Sequence, residues 1–208
     1  MNPIKEHWQQ VYANTPPEKT GWYQAEASES LLLLSKCNID KDAHILNVGT
    51  GASNFVNQVL DAGYTNVSVN DIAASALEVL QSRIPEEQLE YVRFIEDDLT
   101  APTVLKDIAP VAVWHDRAVL HFFREAHEQQ AYFDLLKSKV QAGGYVIIAE
   151  FNLEGALKCS GQELHRYDRN MIAAQLGEEF TLLEEFEFTF VNPFGGERPF
   201  IYTLFQRA

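Results

Sequence analysis

The sequence predicts an α/β protein in which a largely parallel sheet is covered by helices on both faces. Segments of strand and helix character alternate along most of the chain, which is the pattern of consecutive βα units. Two aromatic-rich strands separated by a Pro-Phe-Gly-Gly loop follow those units, and strands joined by a short turn run antiparallel. The predicted architecture is therefore five parallel-type units followed by a C-terminal hairpin.

The composition is that of an ordinary globular domain. The 208 residues are 46% hydrophobic and 22% charged, and a chain of this length is expected to form one domain, residues 1–208. The formal net charge is −14, and only 16 Lys and Arg residues are spread along the chain, so no nucleic-acid partner is expected. The polar N-terminus and the short aliphatic runs predict no signal peptide, no membrane span and a cytoplasmic location. Cys37 and Cys159 stand far apart, so neither a metal site nor a disulfide is expected.

The N-terminal part is predicted to be helical. Residues 3–13 place apolar side chains on one face, and the Pro16-Pro17 pair ends that helix because proline bars helical geometry in the residue before it. Residues 25–36 carry a leucine run and predict a second helix. We expect residues 1–40 to form a helical lid over a core of residues 41–208.

The core consists of five strands with intervening helices. The predicted strands are 44–48, 67–70, 91–95, 111–114 and 145–151, and the predicted helices are 54–62, 73–83 and 125–139. Ser53 can cap the helix that follows the first strand, and Gly63 can close it.

The last quarter of the chain changes its pattern. Ser160 and Glu163 have the spacing of a capping box and predict a helix over residues 164–176. Residues 181–190 and 200–205 are predicted strands, and the loop 193–196 joins them as a hairpin.

A glycine loop and an acidic residue predict a nucleoside site. Gly49 and Gly51 follow the first strand, where a β-carbon would block the approach of a ligand to the backbone. Asp71 ends the second strand 22 residues after Gly49, where a carboxylate accepts hydrogen bonds from both ribose hydroxyls. A Gly-x-Gly pair alone equally suits a turn in any α/β protein, so the surrounding strand, loop and helix matter.

The third glycine of a dinucleotide fingerprint is missing. Its position is taken by Asn54, and no second domain remains for a reductant's substrate, which disfavours NAD and FAD. S-adenosylmethionine (SAM) contains a ribose and an adenine but no pyrophosphate, and it fits the pattern.

The chain resembles the class I SAM-dependent methyltransferases over nearly its whole length. The matching segments are 45–51, Asp71, Asp98-Leu99, 113–120 and Gly143-Gly144. The resemblance implies a Rossmann-like three-layer sandwich whose seven-stranded, mostly parallel sheet has an antiparallel last strand. It also implies SAM as the cofactor, with the adenine near Asp98 and Leu99. The expected cofactor-binding residues are Trp22, Gly49, Thr50, Gly51, Asp71, Ile72, Asp98, Leu99 and His115.

A narrower likeness concerns a bacterial branch of that family whose substrates are mostly unassigned. Its segments are 7–8, 21–24, 114–119, 158–161 and 166–168. Residues 116–120 also resemble a segment of thiopurine methyltransferases and of some protein-lysine methyltransferases. Asn47 and Ser53 depart from the family, which often has an acidic residue and a third glycine there.

Methyl transfer from a sulfonium is an in-line displacement that needs alignment, exclusion of water and, for some acceptors, removal of a proton. The candidate catalytic residues are His115, Asp116 and His121, and the candidate substrate-binding residues are Tyr23, Arg117, Arg166 and Tyr167. Each has a structural alternative: a packed core histidine for His121, an ion pair for Asp116 and Arg117, a helix surface for Arg166 and Tyr167, and an anchor of the N-terminal helices for Trp22 and Tyr23. Glu150 is a further candidate carboxylate, and Cys159 is expected to be structural.

Three functions remain open at this point. The leading one is a SAM-dependent methyltransferase that acts on a small-molecule acceptor as a monomer or homodimer, with protein lysine as the alternative acceptor. The second is a non-catalytic SAM-binding module, which Asn47 favours. The third is an NAD-dependent oxidoreductase.

Overall fold

The computed structural model describes residues 2–208. Its main sheet has seven strands in the order β3-β2-β1-β4-β5-β9-β8. The bounds are β1 Ile45–Val48, β2 Val67–Asp71, β3 Val92–Glu96, β4 Val111–Arg117, β5 Val140–Phe151, β8 Phe180–Val191 and β9 Glu197–Arg207, and a separate small hairpin is formed by β6 Lys158–Cys159 and β7 Gln162–Glu163. Strands β1 to β5 pair in parallel, whereas β9 pairs antiparallel with both β5 and β8. The predicted fold class is confirmed.

Six α-helices accompany the strands within residues 2–208. They are α1 Pro3–Asn14, α2 Ser28–Ser35, α3 Asn54–Asp61, α4 Ala74–Gln81, α5 Ala126–Lys139 and α6 Arg169–Leu176. Buried side chains of α2, α3 and α4 share one hydrophobic cluster, and those of α5 and α6 share another. Because side chains alternate along a strand, Ile45 of β1 enters the first cluster and Leu46 the second. No helix in residues 2–208 has the length and hydropathy needed to cross a bilayer.

Helix α1 is fixed at both ends by its sequence. The Asn2 side chain accepts a hydrogen bond from the Ile4 amide at its start, and the helix ends before Pro16, as predicted. Trp8 and Tyr12 pack against Ala73 and Ala76 at the start of α4. Helix α1 therefore lies beside the carboxyl ends of the parallel strands.

The predicted helix over residues 164–176 is wrong in its first part. Helix α6 begins only at Arg169, because the Asp168 side chain accepts from the Met171 amide at 2.8 Å and caps it. Ser160 and Gly161 instead form the turn of the β6–β7 hairpin, with φ of +50° and +78°. Positive φ at both central residues is the geometry of a two-residue hairpin turn, which the expected capping box cannot adopt.

Strand β4 is longer than predicted, and this extension decides which side chains reach the site. It continues through His115, Asp116 and Arg117 and stops at Ala118, whose φ is +67°. Alternation along the extended strand sends His115 and Arg117 to one face and Asp116 to the other. Strand β5 likewise begins earlier, at Val140, with the glycine pair 143–144 inside it at a register shift against β4.

Candidate active site

A cleft of about 1230 Å³, measured to its open mouth, lies beyond the carboxyl ends of the parallel strands. This is where ligands of open α/β sheets bind. The predicted site residues that line it are Trp22, Tyr23, Gly49, Thr50, Asp71, Ile72, Asp98, Leu99, His115 and Arg117. The structure thus brings together most of the expected cofactor-binding residues. Within residues 2–208, no group of His, Cys, Asp or Glu side chains is placed to hold a metal ion.

The glycine loop is required by packing as well as by backbone geometry. Gly49 and Gly51 have φ of +50° and +53°, a region that L side chains rarely adopt. A β-carbon on Gly49 would lie 2.2 Å from Cγ2 of Val119, and one on Gly51 would lie 2.4 Å from the Tyr12 hydroxyl oxygen. Packing against Val119 and Tyr12 is therefore a second reason for glycine at these positions, beside the predicted approach of a ligand to the backbone.

Asp71 is buried and oriented by backbone amides. Its Oδ2 accepts from the Gly51 amide and its Oδ1 from the Ala73 amide, each at 2.9 Å. The side chain is only 5% exposed, and burial raises its pKa to about 6. Each carboxylate oxygen keeps a further lone pair, so the group can still accept hydrogen bonds from ribose hydroxyls.

One unsatisfied hydroxyl and an acidic side chain in the cleft fit a polar nucleoside ligand. The Thr50 hydroxyl is buried without a hydrogen-bond partner in residues 2–208, at the tip of the glycine loop. At the other end, Oδ1 of Asp98 accepts from the Thr100 amide at 2.9 Å and Oδ2 accepts from the Asn2 side chain. Leu99 lies next to it in the wall. Asp71, Thr50 and the Asp98-Leu99 pair would hold the ribose, the methionyl part and the adenine of SAM.

His115 forms the floor of the cleft and is held as a neutral imidazole. Its Nδ1 contacts the Asn47 side-chain oxygen, its Nε2 lies 2.9 Å from the Ser30 hydroxyl, and its ring stacks on Phe55. Since an amide oxygen only accepts, Nδ1 carries the proton and Nε2 accepts from Ser30. Burial, aided by the charge of Arg117, lowers the pKa of His115 to about 3. The geometry therefore favours a positioning role for His115 over the predicted catalytic one. It also explains the amide at Asn47, whose side-chain oxygen accepts from His115 Nδ1.

We expect His115 to remain neutral throughout the physiological pH range. Its imidazole nitrogens should report a fixed Nδ1–H tautomer between about pH 5 and pH 8, because the pKa lies well below that window. Long-range ¹H–¹⁵N NMR correlation measures this directly, with exposed His127 as an internal comparison. A titration of His115 near its ordinary pKa would contradict the assignment.

Asp116 and His121, two predicted catalytic residues, lie beneath the cleft rather than in it. Both are fully buried and belong to a network with Tyr132 and Glu150. The Tyr132 hydroxyl donates to Asp116 at 2.7 Å, and His121 Nδ1 lies 2.5 Å from Glu150 Oε2. Burial raises the pKa of Glu150 to about 8 and lowers that of His121 to about 3. In this conformation neither predicted residue can touch a substrate.

This network shapes the wall of the cleft. Glu150 Oε1 accepts from the amides of Leu120 at 2.9 Å and Val119 at 3.2 Å, and Asp116 Oδ1 also accepts from Val119 at 3.1 Å. Val119 is the residue that packs on Gly49. The buried side chains of Glu150 and Asp116 therefore fix the segment that supports the glycine loop.

Arg166 and Tyr167 do not line the cleft either. Arg166 donates to the carbonyl oxygens of Leu153 and Gly155, and Tyr167 is buried, with its amide donating to the Phe151 carbonyl. Both residues stabilise the end of β5 and the segment that follows it through these hydrogen bonds. Their predicted role in substrate binding is not supported by this arrangement.

Sequence reasoning predicted Trp22 at the site but missed the aromatic cluster to which it belongs, at the mouth of the cleft. It consists of Trp8, Tyr12, Trp22 and Phe122, and we call it the aromatic lid. Trp8 lies 5.5 Å from Trp22 and 5.1 Å from Phe122 between ring centroids, and Tyr12 lies 6.1 Å from Trp22. The i, i+4 spacing of Trp8 and Tyr12 on α1 was the available signal. Cys159, expected to be structural, also lines the cleft.

The fold and the site define a class of protein: an α/β nucleoside-binding protein with its ligand at the glycine loop after β1. Residues 39–189 match a family model described as a methyltransferase domain. The chain belongs to this family and is a SAM-dependent methyltransferase, with SAM as its cofactor. The alternative of an NAD-dependent oxidoreductase is thereby excluded.

Similar proteins include lysine methyltransferases and several solved enzymes. EEF1A lysine methyltransferase 2 of Homo sapiens is 24% identical over 192 residues, covering 87% of this chain and 75% of its own. The Danio rerio protein of the same name is 25% identical over 159 residues, covering 71% and 68%.

Among solved structures, a SAM-dependent methyltransferase from Anabaena variabilis has a TM-score of 0.79 at 13% identity, covering 99% of this chain and 93% of its own. N-methyltransferase NodS from Bradyrhizobium japonicum in complex with S-adenosyl-L-homocysteine (SAH) has a TM-score of 0.72 at 12% identity, covering 98% of each chain. At these identities the structures show the shared fold.

Proposed function

We propose that this protein transfers the methyl group of SAM to a small-molecule acceptor held between the aromatic lid and the end of β4. The observation that carries the proposal is the partial covering of the cleft. Trp8, Trp22 and Phe122 pack edge to face across its mouth, and the α1 helix that carries Trp8 is anchored on α4. A partly covered cleft with a largely apolar lining suits a small molecule, which can be buried on most of its surface.

The cleft would act by alignment and by exclusion of water. His115 cannot take a proton near neutral pH, and both carboxylate oxygens of Asp71 are engaged with backbone amides. The acceptor would therefore be a nucleophile that reacts without a strong protein base, such as a thiol or a weakly basic amine. Aromatic faces next to the sulfonium would stabilise its positive charge.

A protein lysine is the second candidate acceptor, and one surface favours it. A shallow depression beside Tyr23 is bordered by the acidic Glu26 and Glu29 and by the partly exposed Phe188 and Val191. Acidic and apolar groups together suit a segment that contains lysine. The resemblance to lysine methyltransferases supports the same reading.

Methyl transfer from labelled SAM to fractionated cell extract tests the proposal. We expect label in the deproteinised small-molecule fraction, and we expect Trp22→Ala to reduce it by about tenfold or more because the lid loses an aromatic face. Trp22→Phe should retain most of the transfer, since it keeps a ring.

Two outcomes would contradict the proposal. Label confined to protein, and lost in the double variant Glu26→Gln/Glu29→Gln, would establish the lysine alternative. An unlabelled extract, with SAH still bound by the protein, would indicate a SAM-binding module without catalysis. Exposed Glu154→Gln removes a surface carboxylate away from this depression and serves as the control.

A further inference from the structure

The Arg117 side chain is held rigidly at the cleft wall by uncharged partners. Its guanidinium carbon lies 5.2 Å from the ring centroid of Phe190 and 5.0 Å from that of Phe200. Its Nε donates to the Tyr202 hydroxyl and its Nη1 to the Trp22 carbonyl, both at 3.2 Å. The position of the guanidinium plane is therefore set before any ligand arrives.

This cation has no counter-charge in the part of the chain that the structure describes. The ion pairs within 4.0 Å in residues 2–208 do not include Arg117. Its Nη2 is shielded from water and has no hydrogen-bond partner among residues 2–208. A shielded cationic donor without a partner is costly, and an anionic oxygen is what would satisfy it.

The location of Arg117 separates it from the adenosine part of the site. Arg117 lies on β4, whereas Asp98 lies on the loop after β3. Strands β1 and β2 stand between β3 and β4 in the sheet. Cys159 lies at the same end of the cleft. Burial raises the pKa of its thiol, and the positive charges of Arg198 and Arg117 partly offset this rise. This end of the cleft is thus cationic in a protein whose formal net charge is −14.

We propose that Arg117 binds a carboxylate inside the cleft, through the planar fork of its guanidinium. Paired N–H donors of arginine match the two oxygens of a carboxylate. Two carboxylates can reach this end: one on the methyl acceptor, which makes the acceptor an organic acid, and the one on the methionyl part of SAM. The first source rests on the proposed function, and the second does not.

Binding measurements on the folded protein distinguish the two sources. One arm compares SAH with 5′-methylthioadenosine, which lacks the amino-acid part, by titration calorimetry with wild type and Arg117→Gln. The other arm titrates the SAH-loaded protein with benzoate or with uncharged benzamide and follows the indole N–H resonances of Trp8 and Trp22 by NMR. Arg124→Gln removes the same charge from an exposed site and serves as the control.

Loss of SAH affinity by about tenfold in Arg117→Gln, with unchanged 5′-methylthioadenosine affinity, would assign the carboxylate to SAM. Loss of an at least tenfold preference for benzoate over benzamide, with unchanged SAH affinity, would assign it to the acceptor. Arg117→Lys, which keeps the charge but not the fork, should fall between wild type and Arg117→Gln.

Equal binding of benzoate and benzamide by the wild type, together with unchanged SAH affinity in Arg117→Gln, would overturn the proposal. The benzoate titration measures binding and does not require the protein to methylate any acceptor. If carboxylate preference is found but no small molecule is methylated, only the proposed function fails.

Discussion

Replacement of Asp71 by alanine is expected to abolish most of the binding of SAM and SAH. The Asp71 carboxylate is buried, is held by the amides of Gly51 and Ala73, and lies in the cleft wall. A hydrogen bond to a charged group contributes about 1.5–3 kcal/mol, so the loss of two bonds to the ribose lowers affinity by about 100-fold or more. Alanine also leaves both amides without a partner, which loosens the glycine loop.

Titration calorimetry with SAH measures the effect, and circular dichroism checks that the variant is folded. Asp71→Asn keeps the side-chain volume and one acceptor oxygen, so its SAH affinity should fall less than that of Asp71→Ala. Some affinity is still lost, because the NH₂ group of Asn faces one of the two amide donors. Asp42→Ala removes the same charge from the surface and should leave SAH affinity unchanged. Unchanged affinity in a folded Asp71→Ala protein would contradict the ribose assignment.

The order of strands and helices could be predicted because the signals are local and repeat along the chain. Apolar runs bounded by glycine, proline or a capping residue predicted every strand of the main sheet, and Ser53 caps α3 as expected. The failure at residues 158–168 has a local cause as well. The Ser160 to Glu163 spacing suits a capping box and a hairpin turn equally, and the nearby Asp168 supplies the real cap.

The position of the glycine loop and of Asp71 beside the cleft could be predicted for the same reason, since Gly49, Gly51 and Asp71 each end or follow a strand. The cleft lining at the end of β4 could not, because it depends on which face of β4 each residue occupies. One residue along the strand decides that Arg117 faces the cleft and that Asp116 faces the buried network. The aromatic lid depends on how α1 packs across the sheet, which is tertiary information.

The second large effect is expected from Glu150, through stability rather than chemistry. Glu150→Ala removes the acceptor of the Val119 and Leu120 amides and the neighbour of His121. Leaving the buried Leu120 amide and the His121 imidazole without their partner costs about 1–3 kcal/mol of the free energy of unfolding for each group. We expect a loss of that size in denaturant unfolding, and weakened SAH binding because Val119 supports Gly49. Exposed Glu154→Ala, four residues away, should change neither quantity measurably.

The pH dependence of the unfolding free energy distinguishes the effect of the Glu150 proton from the effect of lost packing. Burial raises the pKa of Glu150 from 4.5 to about 8, so the folded protein retains a proton that the unfolded chain has released. The unfolded state then binds fewer protons, and this group's contribution to the free energy of unfolding falls as the pH rises from 4.5 to about 8. Glu150→Gln keeps the shape of the side chain but cannot ionise, so its unfolding free energy should decline less steeply across that window than that of the wild type. Parallel pH profiles for the two proteins would show that Glu150 carries no such proton, and the buried network would then have to be ionised at neutral pH.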